Sequence, residues 1–210
     1  MISPKSAAFL IIDMQNGFID ADSALCVAGA EATLPACSRS LDHARKIKMP
    51  VFYIHRNYAE DGSNVEAVRY RAWKQGGKPL SSAINGSIDF PEIIAPKPGD
   101  HIICKPRFSS FFNTDLDSQL HDLGIGTLVV CGTTTPNCIR ATCYDGLSLG
   151  YNVVVIEDCT SSRTAQVQAA NIDDFISVGI QVIDAETFCN SGIDSIRDIE
   201  TEYRCDLADL

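Results

Sequence analysis

Basic residues are scarce in this chain of 210 residues, which has 17 Lys and Arg against 27 Asp and Glu and a net charge of -10. Nucleic-acid binding depends on clustered cations that neutralise phosphates, and the few cations here are scattered. Apolar runs are also short, because none reaches the roughly 20 residues that a membrane-spanning helix needs. We therefore expect no nucleic-acid partner and no membrane association.

The nine cysteines lack the spacing of a metal site or a disulfide framework. No CxxC pair occurs, and the two cysteines closest in sequence are Cys138 and Cys143, which disfavours structural zinc. Their number is odd, and the amino-terminal apolar run lacks the features of a signal peptide. We expect a cytoplasmic location, where most thiols act as small buried apolar side chains.

Six short apolar runs rich in β-branched residues alternate with amphipathic stretches. Runs of this length predict buried strands, and the stretches between them have helical spacing. Because parallel neighbours need crossover connections, we predict a single domain over 1–210 with a three-layer α/β/α fold of Rossmann-like type. The predicted strands are 7–12, 51–54, 101–104, 127–131, 152–156 and 180–183, and the predicted helices are 33–48, 115–123, 137–149 and 164–178.

One interval, 56–98, interrupts this alternation and is rich in Gly and Pro. A long irregular insertion in a compact domain commonly forms a lid or a substrate loop, although a solvated surface excursion is the alternative. Its arginines, with Arg107 nearby, are candidate partners for a carboxylate, and its aromatic residues could form an apolar wall or pack in a core. The candidates for substrate binding are Asn57, Tyr58, Arg71, Trp73 and Arg107, with Arg56 and Arg69 as further arginines.

Three reactive side chains follow predicted strands, at the edge of the sheet where ligands bind in this class of fold. Asp13 ends the first strand and is a candidate general base, although such an Asp also commonly caps a turn. Lys105 ends the third strand, where a lysine is more often simply solvated. Cys138 lies at the start of the predicted helix 137–149, so we expect a thiol pKa below the free value, with an inert buried cysteine as the alternative.

The motifs around these residues resemble those of the isochorismatase-like cysteine hydrolases. They read LIIDMQNGF, KPRFSSFFNTDLDSQL and GTTTPNCIRATCYDGLSLGYNVVVIEDCTSS, and together they cover nearly the whole chain in order. The resemblance implies a catalytic triad of Asp13, Lys105 and Cys138 and a sheet of six parallel strands. It also implies a cis peptide between Thr133 and Thr134, an oxyanion hole from the amides of Thr134 and Cys138, and assembly as a dimer or tetramer.

Departures from the family pattern narrow the predicted reaction. Nicotinamidases of this family carry an Asp and His cluster for a divalent metal after the second strand, whereas this chain has only His55 there, so we predict no metal and no cofactor. Relatives that hydrolyse the vinyl ether isochorismate tend to lack the cysteine. Cys138 therefore indicates carbon–nitrogen cleavage of a small amide or ureido compound through a thioester. The alternatives are an ether hydrolase or a non-catalytic, redox-sensing binding protein on the same fold.

Overall fold

The computed structural model describes residues 3, 6–81, 86–199 and 201–202. Within these ranges, six strands form one sheet in the order β3-β2-β1-β4-β5-β6, and every neighbouring pair is parallel. The predicted six-stranded parallel sheet is confirmed. The strands are β1 (Ala7–Ile12), β2 (Val51–His55), β3 (His101–Cys104), β4 (Thr127–Thr133), β5 (Asn152–Ser161) and β6 (Gln181–Ile183).

Helices cover both faces of the sheet, so the three-layer architecture is confirmed. Apolar side chains of α2 and α7 pack on one face, and those of α4, α5 and α6 pack on the other. Every residue of β1 and β4 is buried, because a central strand of such a sheet has helices on both sides. The helices are α1 (Asn16–Ile19), α2 (Ala30–Lys46), α3 (Ala67–Gln75), α4 (Leu116–Asp122), α5 (Arg140–Ser148), α6 (Ala165–Ser177) and α7 (Ala185–Ser191).

Three strands extend beyond their predicted ends: β2 gains only His55, and the longer extensions of β4 and β5 lie next to the candidate catalytic residues. β4 continues to Thr133, and β5 continues through a polar segment to Ser161. Thr133 pairs with Ser161 after a shift in the register between the two strands. The apolar pattern did not reveal these extensions because their residues are mostly polar, although Thr160 and Ser161 are buried.

The predicted helix 137–149 begins differently in the structure. A π-helical turn over Thr135–Ile139 precedes α5, so Cys138 lies inside that turn and not in the first turn of a regular α-helix. The Ile139 amide donates to the Thr134 carbonyl, five residues earlier, as a π turn requires. Turns of this kind are frequent at functional sites.

The insertion 56–98 is less irregular than predicted, because it contains α3 and has a small core of its own. We call this cluster the satellite core, and its members are Phe18, Tyr58, Val65, Trp73 and Leu80. The indole of Trp73 is 1% exposed, and its Nε1 donates to the carbonyl of Pro79 at 2.9 Å. Burial of these side chains makes the insertion a packed part of the domain.

The eight cysteines within the described ranges are all unpaired, and Cys205 lies outside those ranges. Five of them are buried, as expected for thiols that act as small apolar side chains. None of the helices that the structure describes has the length and apolar character needed to cross a bilayer.

Candidate active site

The three candidate catalytic residues meet at the carboxyl edge of the sheet, beside its topological switch point. The order of the strands reverses between β1 and β4, and ligands bind at such a point in open parallel sheets. Asp13 directly follows β1, Lys105 directly follows β3, and Cys138 comes five residues after the end of β4. The fold therefore gathers residues that are 92 positions apart in sequence into one site.

Asp13 and Lys105 form a buried ion pair. The ammonium Nζ donates to Asp13 Oδ2 at 2.8 Å, and the side chains are at most 1% exposed. The same Nζ donates to the carbonyls of Arg107 and Phe108, each at 3.1 Å. An ammonium has three protons, so these three acceptors use all the donors of Lys105.

The backbone fixes Asp13 in an uncommon conformation. Its φ is 54°, in the left-handed region, and its amide donates to the Ile54 carbonyl of β2 at 2.8 Å. Non-glycine residues seldom adopt positive φ, and those that do concentrate at functional sites. The second carboxylate oxygen, Oδ1, is buried and has no hydrogen-bond partner among the described residues.

The thiol of Cys138 is buried, with 2% of the residue exposed. Burial raises the pKa of this thiol, and the negative charge of Asp13 raises it further, against the opposing effects of Lys105 and Arg56. The predicted low thiol pKa is therefore wrong for the free protein, because desolvation and a neighbouring carboxylate outweigh the cations. A thiol in this environment is protonated, and it would act as a nucleophile only after a base removed its proton.

Gly132 brings the end of β4 against the end of β1. A Cβ at this position would lie 2.1 Å from the carbonyl oxygen of Ile12, and φ is 118°, so only glycine fits. The peptide bond that follows Thr133 is cis, at the Thr133–Thr134 position that the sequence predicts.

Hydroxyl groups fasten this segment to the end of β5. Thr133 Oγ1 and Ser161 Oγ are 2.9 Å apart, and the hydroxyls of Thr134 and Thr135 both donate to the Ser161 carbonyl, at 3.1 and 3.0 Å. Thr134 lies directly before the π-helical turn that holds Cys138. Of the two residues predicted for the oxyanion hole, Thr134 precedes the turn and Cys138 lies within it, and the hole itself stays a prediction.

The candidates for substrate binding are dispersed. Tyr58 and Trp73 belong to the satellite core. Their rings therefore pack in a core, which is the second of the two roles that the sequence analysis gave for them. Arg71 is exposed on α3, and Arg107 is exposed, with its Nη1 donating to the carbonyls of Asn64 and Pro106. Asn57 is half-buried, and its carbonyl accepts from the Asn64 side chain at 2.9 Å.

Arg56 is the arginine that the structure brings next to the candidate triad. It is fully buried, and the Asp13 carboxylate raises the pKa of its guanidinium, although burial alone would lower it. Its Nη1 forms an ion pair with Glu66. The side chain of Gln15 bonds both the amide and the carbonyl of Arg56, at 2.8 Å each.

Sequence reasoning missed Glu66 and Gln15. The sequence gives one local indication that Gln15 belongs to the site. It lies two residues after Asp13, in a turn at the end of a buried strand. Glu66 gives no signal, because its partner is ten residues away and the loop between them decides whether the two meet.

A divalent metal does not fit this site. Across the described ranges, no three or more His, Cys, Asp and Glu side chains cluster closely enough to hold an ion. Asp13 is already paired with the Lys105 ammonium, which supplies the positive charge that a metal would otherwise bring.

Comparison with known proteins agrees with this geometry. The isochorismatase domain model matches residues 7–187. A probable inactive nicotinamidase of Arabidopsis thaliana is 35% identical over 181 residues, covering 84% of this chain and 91% of its own. The ureidoacrylate amidohydrolase of Serratia proteamaculans is 32% identical over 211 residues, covering 90% and 84%.

Among solved structures, an isochorismatase family protein from Desulfovibrio vulgaris superposes with a TM-score of 0.83 at 35% identity, covering 87% of this chain and 96% of its own. The family match spans the segments that carry Asp13, Lys105 and Cys138. The chain belongs to the isochorismatase-like hydrolase family, which includes amidohydrolases.

Proposed function

We propose that this protein is a metal-independent cysteine hydrolase that cleaves a carbon–nitrogen bond of a small amide or ureido compound through a thioester. One observation carries the proposal: Asp13 has one oxygen held by the Lys105 ammonium and a second, buried oxygen without a partner, beside a buried thiol. This is the arrangement of a nucleophile with an oriented base.

The reaction begins with proton transfer from Cys138 to Asp13 Oδ1. The raised pKa of the thiol favours a neutral thiol beside the Asp13 carboxylate at rest, which keeps the sulfur protonated until a substrate arrives. The thiolate then attacks the planar carbonyl carbon, and the backbone amides of Thr134 and Cys138 donate to the developing oxyanion. Lys105 stabilises the negative charge, which lies on Asp13 before the transfer and on the sulfur after it.

Collapse of the tetrahedral adduct breaks the carbon–nitrogen bond. Asp13 returns its proton to the departing nitrogen, which leaves as ammonia or an amine, and an acyl or carbamoyl group stays on the sulfur. A water molecule then loses a proton to Asp13 and attacks the thioester. The acid product leaves, and the thiol recovers the proton.

Carbon–nitrogen cleavage is favoured over ether hydrolysis by the thiol itself. Protonating a vinyl ether requires an acid but no nucleophile, whereas a poor nitrogen leaving group benefits from a covalent intermediate that divides the reaction into two steps. A relative at 32% identity is an amidohydrolase of a ureido acid, which agrees with this choice.

Ammonia release from maleamate, biuret, nicotinamide, ureido acids and carbamoyl amino acids tests the proposal, with and without EDTA. The wild-type protein should turn over at least one of them in EDTA, and Cys138→Ala should abolish that turnover. Intact mass spectrometry of briefly reacted enzyme should show an adduct of the acyl or carbamoyl mass.

Cys143→Ala is the matched control, because Cys143 is a fully buried cysteine of α5 five residues from the nucleophile. This variant should retain turnover. Wild-type rates in Cys138→Ala, or activity that disappears in EDTA, would refute the mechanism.

A further inference from the structure

Arg56 presents an unusual guanidinium to the candidate active site. The residue follows β2, the strand that lies between β1 and β3, and so stands between the strand ends that carry Asp13 and Lys105. It is 0% exposed, and the paired bonds with Gln15 fix its backbone beside the Asp13 turn.

One end of the guanidinium is firmly held. Nη1 pairs with Glu66 Oε1 and donates to the Pro106 carbonyl at 3.1 Å. Glu66 is held in turn by the Tyr58 hydroxyl, which donates to Oε2 at 2.6 Å. The guanidinium carbon lies 5.8 Å from the Tyr58 ring centroid and 5.7 Å from that of Phe108, so two aromatic rings flank it.

The other edge of the guanidinium is not used by the described residues. Nε and Nη2 are both buried, and neither has a hydrogen-bond partner among them. These two nitrogens lie on the same side of the planar group, so their N–H bonds are parallel. Buried donors without partners are costly, and a parallel pair of this kind matches the two oxygens of a carboxylate.

The charges around Arg56 allow an anion to bind there although the Asp13 carboxylate is near. Lys105 and Arg56 bring two positive charges to a site in which Asp13 and Glu66 bring two negative ones, and the thiol is neutral at rest. A carboxylate bound to Nε and Nη2 would therefore enter a site of no net charge, with a rigid donor pair ready for it.

We propose that Arg56 binds a carboxylate of the substrate through Nε and Nη2, so that the substrates are ureido or amide acids whose carboxylate lies a few bonds from the scissile carbonyl. This inference rests on the proposed function and adds the substrate class. Glu66, acting through Arg56, is a positioning residue for the same group.

The test compares ureido acids with neutral counterparts that differ only at the anion. The probes are ureido acids with one to three methylenes between the ureido group and the carboxylate, each paired with the alcohol in which CH2OH replaces the carboxylate. Wild-type enzyme should prefer at least one acid over its alcohol by about 10- to 100-fold in kcat/KM, as expected for hydrogen bonds to a charged group.

Arg56→Lys keeps the positive charge opposite Glu66 but removes the parallel donors. It should lower the preference for the acid over its alcohol, measured as the ratio of their kcat/KM values, about tenfold or more. Arg45→Lys is the matched control, because Arg45 is a partly buried arginine that pairs with an acid, Asp100. Asp100 directly precedes β3, so this pair lies at the opposite edge of the sheet. The control variant should leave the preference unchanged.

A binding measurement separates this inference from the proposed function. Cys138→Ala, with and without Arg56→Lys, is titrated with the ureido acids by calorimetry, and the lysine variant should weaken binding about tenfold. Absence of Cys138-dependent turnover would refute the proposed function alone. Equal use of acid and alcohol, an equal loss on both in Arg56→Lys, or unchanged binding in the titration would overturn the carboxylate site.

Discussion

Removal of the Lys105 ammonium gives the most direct test of how the site is held. Lys105→Met keeps most of the side-chain volume but leaves the buried carboxylate of Asp13 without its partner. The carbonyls of Arg107 and Phe108 lose their donor as well. None of these three acceptors lies where bulk water can readily replace the ammonium, because the lysine side chain is 0% exposed.

The expected cost is large relative to the total stability. Breaking a buried ion pair by removing one partner costs about 3 to 5 kcal/mol, and domains of ordinary stability have about 5 to 15 kcal/mol in all. With a urea dependence of about 2 kcal/mol per molar, the unfolding midpoint should fall by about 2 M.

Equilibrium urea unfolding provides the assay, followed by circular dichroism for the sheet and helices and by fluorescence of the single tryptophan, Trp73. The double variant Asp13→Asn with Lys105→Met should recover a large part of the loss, because removing both charges leaves no uncompensated ion. Lys97→Met is the control: Lys97 and Asp42 form an ion pair at 3.5 Å with both side chains more than 60% exposed, and its loss should cost less than about 1 kcal/mol.

A loss below about 1 kcal/mol in Lys105→Met would refute the argument, since a buried carboxylate cannot lose its hydrogen-bonded cation so cheaply. Strictly additive losses in the double variant would also refute it, because they would mean that the two side chains stabilise the fold independently.

Two further substitutions test the acid–base roles and the close approach of the strands. Asp13→Asn should abolish turnover yet speed alkylation of Cys138 by iodoacetamide at neutral pH, because the Asp13 charge raises the thiol pKa. Mass spectrometry measures the alkylation, and a slower reaction in the variant would contradict that cause. Gly132→Ala should lower the free energy of unfolding by about 3 kcal/mol or more, since positive φ adds strain to the contact with Ile12. Gly150→Ala has positive φ but open space around it and should cost about 1 kcal/mol in the same urea assay; similar losses in the two would argue against the close approach.

The sheet was predictable from sequence because each strand is a short apolar run. Parallel strands buried on both faces need apolar residues at every position, and β1 and β4 show this most clearly. The end of β5 was not predictable in this way. Ser161 is polar, and it is buried because hydroxyls of Thr133 and its neighbours bond to it, which depends on a strand that is distant in sequence.

The site residues that end strands were predictable from sequence. Those whose side-chain contacts depend on the fold of a loop were not. Asp13 and Lys105 occupy fixed places relative to the sheet, so their meeting follows from the topology. Glu66 reaches Arg56 only through the folded insertion. The pKa of Cys138 was missed for a related reason, because the local sequence shows a helix start but not the depth of burial.

The satellite core limits how freely the insertion 56–98 can move. Detaching the insertion as a lid would expose five side chains that are at most 8% exposed, which are Phe18, Tyr58, Val65, Trp73 and Leu80. At about 1.5 kcal/mol each as a lower bound, full opening costs about 7 kcal/mol and occurs in about one molecule in 10⁵. We therefore expect the insertion to stay packed against the domain, so that a substrate reaches Cys138 without its detachment.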